Sequence, residues 1–163
     1  MWYRARVEKI DGKAIQVAYI DYGNHEVTTS SRLAALPIAY QSMPPAAREY
    51  GLAFVHLPKD PENAEDARQM FEELSSRSGL TLNIEYKNGS IPFVTLMTAG
   101  DDKKRDIGKE LVEQGYLIVE KRKEQKFKKI IHEYLAAQDL AKKKRLNLWC
   151  YGDITEDDAK EFG

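Results

Sequence analysis

Residues 18–24 read Ala-Tyr-Ile-Asp-Tyr-Gly-Asn, two tyrosines, a carboxylate, a glycine and an asparagine closing what looks like a β-strand. Upstream, "KAIQVAYIDY" alternates apolar and polar positions, so Ile15, Val17 and Tyr19 share one face of a half-buried strand. Before it, "WYRARVEKI" (2–10) has the same period, and Asp11-Gly12 predicts a hairpin turn between the two. Gly23-Asn24 marks a second turn into "HEVTT", and "RLAALP" reads as a fourth short strand. Closely spaced short strands predict a small barrel. Four strands leave its edges exposed, so a further strand upstream of Met1 is expected.

Downstream the pattern changes. "PIAYQSMPPAAREY" holds three of the six prolines and reads as a connector with a helical turn at Ala46–Tyr50. "GLAFVHLP" predicts a buried strand. In "DPENAEDARQMFEELSSRSG", Ala67, Met70, Phe71 and Leu74 recur at helical spacing, with Gly79 as the stop. "LTLNIEYKNGSIPFVTLMTA" predicts a hairpin turning at Asn88-Gly89. A short helix over 106–114 ends at Gly115, "YLIVEKR" adds a strand, and a long helix runs from Glu124 to about Lys144. Its apolar stripe contains Phe127, Ile130, Ile131, Tyr134, Leu135, Gln138 and Ala141. The fold class is therefore α+β, mainly β with helices: a β-only domain over 1–40, a connector over 41–50, and an α+β domain over 51–163.

Composition narrows the function. The chain has 163 residues and a net charge of −1, which argues against a general polyanion binder. Its one cysteine, Cys150, cannot form an internal disulfide, which fits a reducing compartment such as the cytoplasm or the nucleus. No apolar run reaches transmembrane length, and no membrane partner is expected. Charge is uneven: residues 121–145 hold ten Lys or Arg against three acids, and residues 150–163 hold five acids against one Lys. That pairing suggests internal compensation as readily as RNA contact.

Two stretches carry a family resemblance. "WYRARVEKI…VAYIDYGNHEVTTSSRL" resembles a Tudor domain, and "DIGKELVEQGYLIVE" with "EYLAAQDLAKKKRLNLW" resembles the C-terminal half of the staphylococcal nuclease fold, an oligonucleotide-binding type of barrel. That order is characteristic of the Tudor staphylococcal nuclease family. The resemblance implies a bent Tudor barrel lacking its first strand here, followed by a partial nuclease-like barrel with helices. It also implies an aromatic cage for methylated arginine made by Tyr3, Tyr19 and Tyr22, with Asn24 accepting a guanidinium N–H and a fourth aromatic expected before Trp2. Trp2 itself is assigned to barrel packing.

The physical logic of such a cage stands on its own. Dimethylguanidinium keeps its charge and gains methyls, so ring faces attract it while shielding the methyls from water. Periodicity alone favours packing instead. Strict alternation puts Tyr19 and Tyr22 on opposite faces, and they converge only if the chain bends before Gly23. Asp21 reads as a turn or barrel hydrogen-bond acceptor rather than a catalytic acid.

Catalysis is not expected. Where the nuclease family carries an arginine, a metal-binding aspartate and a glutamate, the resemblance aligns Gly51, His56 and Lys59, and "SIPFVTL" lacks the second arginine. No metal-ligand spacing joins His25, His56 and His132, and no metal or cofactor is expected. The implied partners are Arg/Gly-rich tails bearing symmetric dimethylarginine, on Sm-type spliceosomal or Piwi-class Argonaute proteins, within RNA-silencing and RNA-processing complexes. The alternative is RNA binding through the basic helix (Lys126, Lys128, Lys129, Lys142–Arg145) and the nuclease-like barrel. Phe127 and Tyr134 fall on its apolar stripe rather than on a stacking surface.

Overall fold

The computed structural model describes residues 1–77, 79–99 and 103–155, which divide into two compact units between Glu49 and Tyr50. The expected α+β class is what the chain adopts, strands first and then strands mixed with helices.

In the first unit, β1 (Ala5–Asp11), β2 (Ala14–Tyr19) and β3 (His25–Thr28) form an antiparallel sheet in the order β1-β2-β3. β1 begins three residues later than the alternation predicts, although Ile20 N–H still bonds Arg4 O (3.2 Å) one residue ahead of it. Asp11 pairs with Ala14, so the first turn is Gly12-Lys13, one residue on from Asp11-Gly12, with Gly12 at φ 60°. A bulge between Val7 and Lys9 lets Val7 and Ile10 lie opposite Val17 and Ile15 despite their odd spacing.

The expected fourth strand does not form. Ser30–Arg32 make a 3-10 turn, Leu33 is extended without a ladder, and Pro37 supplies no N–H. The helical turn lies at α1 (Ile38–Gln41), just after Pro37, rather than at Ala46–Tyr50.

In the second unit, "GLAFVHLP" is divided into β4 (Gly51–Leu52) and β5 (Val55–His56). Between them Phe54 takes φ 67°, a costly conformation for a bulky residue. The surroundings hold it there. Its ring is fully buried, with ring centres of Tyr86, Phe127 and Tyr134 at 5.6, 5.2 and 5.7 Å, and its N–H reaches Tyr86 Oη (3.1 Å).

This kink sends the chain from one sheet to another. β4 runs parallel to β7 (Ile91–Thr98), which pairs antiparallel with β6 (Leu80–Asn88), while β5 pairs with β8 (Ile118–Val119). The β6–β7 hairpin forms with Gly89-Ser90 at its tip.

Among the described residues of this unit three helices follow. α2 (Pro61–Ser76) starts at Asp60, whose carboxylate accepts Asn63 N–H (3.0 Å). α3 (Ile107–Glu113) starts at Asp106 and ends before Gly115, at φ 80° and so close to Leu146 O that a Cβ would lie 2.3 Å from it. α4 (Lys128–Lys143), preceded by a 3-10 turn at Gln125–Phe127, buries Ile131, Tyr134, Ala137, Gln138 and Ala141. α3 and α4 lie against the strands, and α2 lies against α3. Phe127 and Tyr134 are core residues, as their place on the stripe predicts. Among the described residues, no helix is long and apolar enough to cross a membrane.

Candidate binding site

The turn after β2 decides where the tyrosines go. Tyr22 N–H and Gly23 N–H both donate to Tyr19 O (3.2 and 2.7 Å), and Tyr19 N–H donates to Asn24 O (2.9 Å). Gly23 at φ 90° permits this reversal, which few side-chain-bearing residues tolerate. The bend that alternation cannot show therefore exists, and it returns Tyr22 to the side of Tyr19.

Tyr3 joins them from the segment before β1. Its ring centre is 6.1 Å from that of Tyr19 and 5.4 Å from that of Tyr22, at interplanar angles of 82° and 89°. Such perpendicular rings present faces and edges around an open corner rather than a filled core. Tyr3 is 50% and Tyr22 69% exposed, and Tyr19 is half-buried. Asn24 lines the same open cavity of about 820 Å³. The structure thus brings Tyr3, Tyr19, Tyr22 and Asn24 to one cleft.

Two polar clusters hold these rings. Arg4 makes a two-pronged contact with Asp21 (2.8 and 2.5 Å) and also donates to the carbonyls of Tyr40, Met43 and Pro44. Asp21 accepts Ala46 N–H as well (3.1 Å), so it is a hydrogen-bond acceptor that ties distant segments of the first unit together, not one within its own turn. Arg4 follows Tyr3 and Asp21 precedes Tyr22, so one ion pair fixes the backbone beside both rings. The Arg4 guanidinium holds the Asp21 carboxyl below its ordinary range.

The second cluster grips Tyr19. Its hydroxyl donates to Glu26 Oε2, and Arg32 donates to Glu26 Oε1 (2.8 Å). The Tyr19 hydrogen bond lowers the Glu26 pKa, and the same bond raises that of Tyr19. Both Glu26 and Arg32 line the cleft.

Sequence reasoning missed Arg4, Glu26 and Arg32. Glu26 was within reach: the β2–β3 pairing sets it opposite Val17, on the face of Tyr19. Trp2 is a correction. It is 76% exposed and lines the cleft instead of packing a barrel, because it precedes the first ladder residue.

The described residues of the second unit present no comparable cluster of exposed rings. A Cβ on Gly51 would lie 2.5 Å from the Phe93 ring, so that ring occupies the space a larger residue would need. His56 is exposed, with Nδ1 3.0 Å from Leu57 O. Among the described residues, no three His, Cys, Asp or Glu converge to hold a metal ion. On α4, Lys142 is drawn to Asp153 (2.8 Å) and lies 4.9 Å from the Trp149 ring centre, one contact between the basic helix and the acidic tail. The rest of the acidic tail, from residue 156, lies outside the described residues.

Known proteins share this two-part arrangement. Residues 1–53 match the Tudor domain family, and residues 62–151 match the staphylococcal nuclease homologue family. The chain is 46% identical, over 99% of its length, to Staphylococcal nuclease domain-containing protein 1 of Drosophila melanogaster, spanning 17% of that protein. Its fold superposes on the extended Tudor domain of Drosophila melanogaster Tudor-SN with a TM-score of 0.82 at 44% identity, covering 91% of this chain and 68% of that one. The chain belongs to the Tudor staphylococcal nuclease family.

Within that family it corresponds to the extended Tudor region, a small part of the full-length relative. A further extended Tudor domain, that of BmPAPI solved in complex with sDMA (symmetric dimethylarginine), matches with a TM-score of 0.63 at 29% identity. That match covers 72% of this chain and 64% of the other.

Proposed function

We propose that this extended Tudor region is a non-catalytic module that binds symmetric dimethylarginine in Arg/Gly-rich protein tails. The observation that carries the reading is the convergence of Tyr3, Tyr19 and Tyr22, at near right angles, with Asn24 on one open cleft. Ring faces supply the attraction for the cation, and the perpendicular arrangement lets two methyls contact aromatic surface at once. Asn24 Oδ1 accepts the N–H that methylation leaves. The BmPAPI complex supports the ligand class. In the nuclease-like unit, Gly51 and His56 supply neither the charge nor the hard oxygen ligands that phosphoryl transfer needs, which supports a role without catalysis. Sm-type and Piwi-class tails are the natural peptides to try.

Calorimetric titration of one Arg/Gly peptide, unmethylated, asymmetrically and symmetrically dimethylated, at two salt concentrations, tests the reading. The expected result is preference for the symmetric form with a modest salt effect. Equal weak binding of all three that collapses in high salt would favour the basic helix, and with it RNA, as the functional surface.

A further inference from the structure

A carboxylate in a cleft that takes an arginine side chain is a hazard to selectivity. Unmodified guanidinium offers five N–H donors in a fork that matches a carboxylate, whereas dimethylation removes donors. An open Glu26 would therefore reward the wrong ligand. Its side chain is 34% exposed and lines the cleft beside Tyr19, so it is within reach of what the rings hold.

Here both Glu26 oxygens are already engaged, Oε2 by the Tyr19 hydroxyl and Oε1 by Arg32. Arg32 reaches back from the 3-10 turn after β3 and is itself 67% exposed, so it is no packing residue. We propose that Arg32 is a specificity-determining residue: by occupying Glu26 it acts as a resident guanidinium that denies unmethylated arginine an ion pair, leaving ligands to be sorted by the aromatic rings. The inference rests on the proposed methylarginine reading and adds to it the reason unmodified arginine is refused.

The mechanism makes an asymmetric prediction. Freeing Glu26 helps most the ligand that keeps all five N–H donors, and less the one in which two of them are replaced by methyls. Removing a positive charge from the rim, by contrast, would raise the affinity of both peptides equally. The ratio of the two affinities separates these effects.

The experiment titrates wild type, Arg32→Ala, Glu26→Gln and the double variant with unmethylated and symmetrically dimethylated forms of one Arg/Gly peptide. Arg32→Ala is expected to strengthen the unmethylated peptide about threefold, the scale of one partly exposed ion pair, with the dimethylated peptide changed less. In the double variant the gain should vanish, because the amide that Glu26→Gln introduces still accepts the Tyr19 hydroxyl and carries no charge. Thermal melts of each variant check that it stays folded, as the exposure of Arg32 leads one to expect. If wild type prefers the methylated peptide but Arg32→Ala leaves the ratio unchanged, the inference is overturned and the methylarginine reading stands. If wild type shows no preference, both fall.

Discussion

Tyr22 is the residue on which the binding reading can be tested with least damage. Its ring is mostly in solvent and touches Tyr3, so its removal deletes ligand contact without opening a core cavity. Tyr22→Ala is expected to weaken a symmetric dimethylarginine peptide by about 1–2 kcal/mol, the range of a partly desolvated cation–π contact. Its melting temperature should match wild type. Unfolding alongside the loss of binding would make Tyr22 a packing residue. Asp21→Ala tests the support instead: it removes no ring but releases the Arg4 side chain and Ala46 N–H. Weaker peptide binding with all rings intact is expected, and nuclear magnetic resonance should show the Tyr22 ring signals broadened or shifted. At this scale the gathering of Tyr3, Tyr19, Tyr22 and Asn24 was expected from the family resemblance of a compact motif and not from alternation, which puts Tyr19 and Tyr22 on opposite faces. Glu26 and Arg32 were not, because their roles depend on strand register and on a turn where a strand was expected.

Elements were legible where a periodic pattern met an unambiguous turn residue, and not where the chain changes partner. The β6–β7 hairpin, α2, α3 and α4 follow the predicted positions to within a few residues. "GLAFVHLP" does not, since an apolar run reads the same whether it stays in one sheet or passes between two. The switch lies in the Phe54 backbone, held by contacts from residues 32 to 80 positions away. Gln138 is a second feature of this kind. It sits on the apolar stripe of α4 because its Oε1 accepts Val119 N–H (2.9 Å), capping the short β5–β8 ladder from inside the core. Gln138→Leu preserves the helix and the apolar face but orphans that donor. A loss of about 1–3 kcal/mol is expected in urea unfolding. A variant as stable as wild type would mean that Val119 N–H finds another acceptor.

Across the molecule, ionised groups divide into two sets whose effects on stability run in opposite directions with pH. Asp21 and Glu26 titrate below their ordinary values of 3.8 and 4.5 because Arg4 and Tyr19 respectively favour the charged forms. Their contribution is present above those values and is lost as pH falls through the lower folded ones. Asp106 is the reverse case. Burial raises its pKa above 3.8 despite hydrogen bonds from the Tyr134 hydroxyl (2.5 Å) and the Lys109 and Gly108 N–H groups. The folded protein therefore holds this proton more tightly than the unfolded chain. That contribution is complete below 3.8 and disappears as pH rises through the folded value, leaving a desolvated charge at neutral pH.

Asp106→Asn isolates the effect, since an amide still accepts the Lys109 N–H that starts α3 and can face the Tyr134 hydroxyl through its nitrogen. Relative to wild type, the variant should gain stability between about pH 4 and pH 7. Denaturant unfolding followed by the emission of buried Trp149, in a Trp2→Phe background, reads this unit without the exposed indole of the other. A difference between variant and wild type that stays constant from about pH 4 to pH 7 would show that Asp106 has the same affinity for its proton folded and unfolded. Its hydrogen bonds would then fully offset its burial.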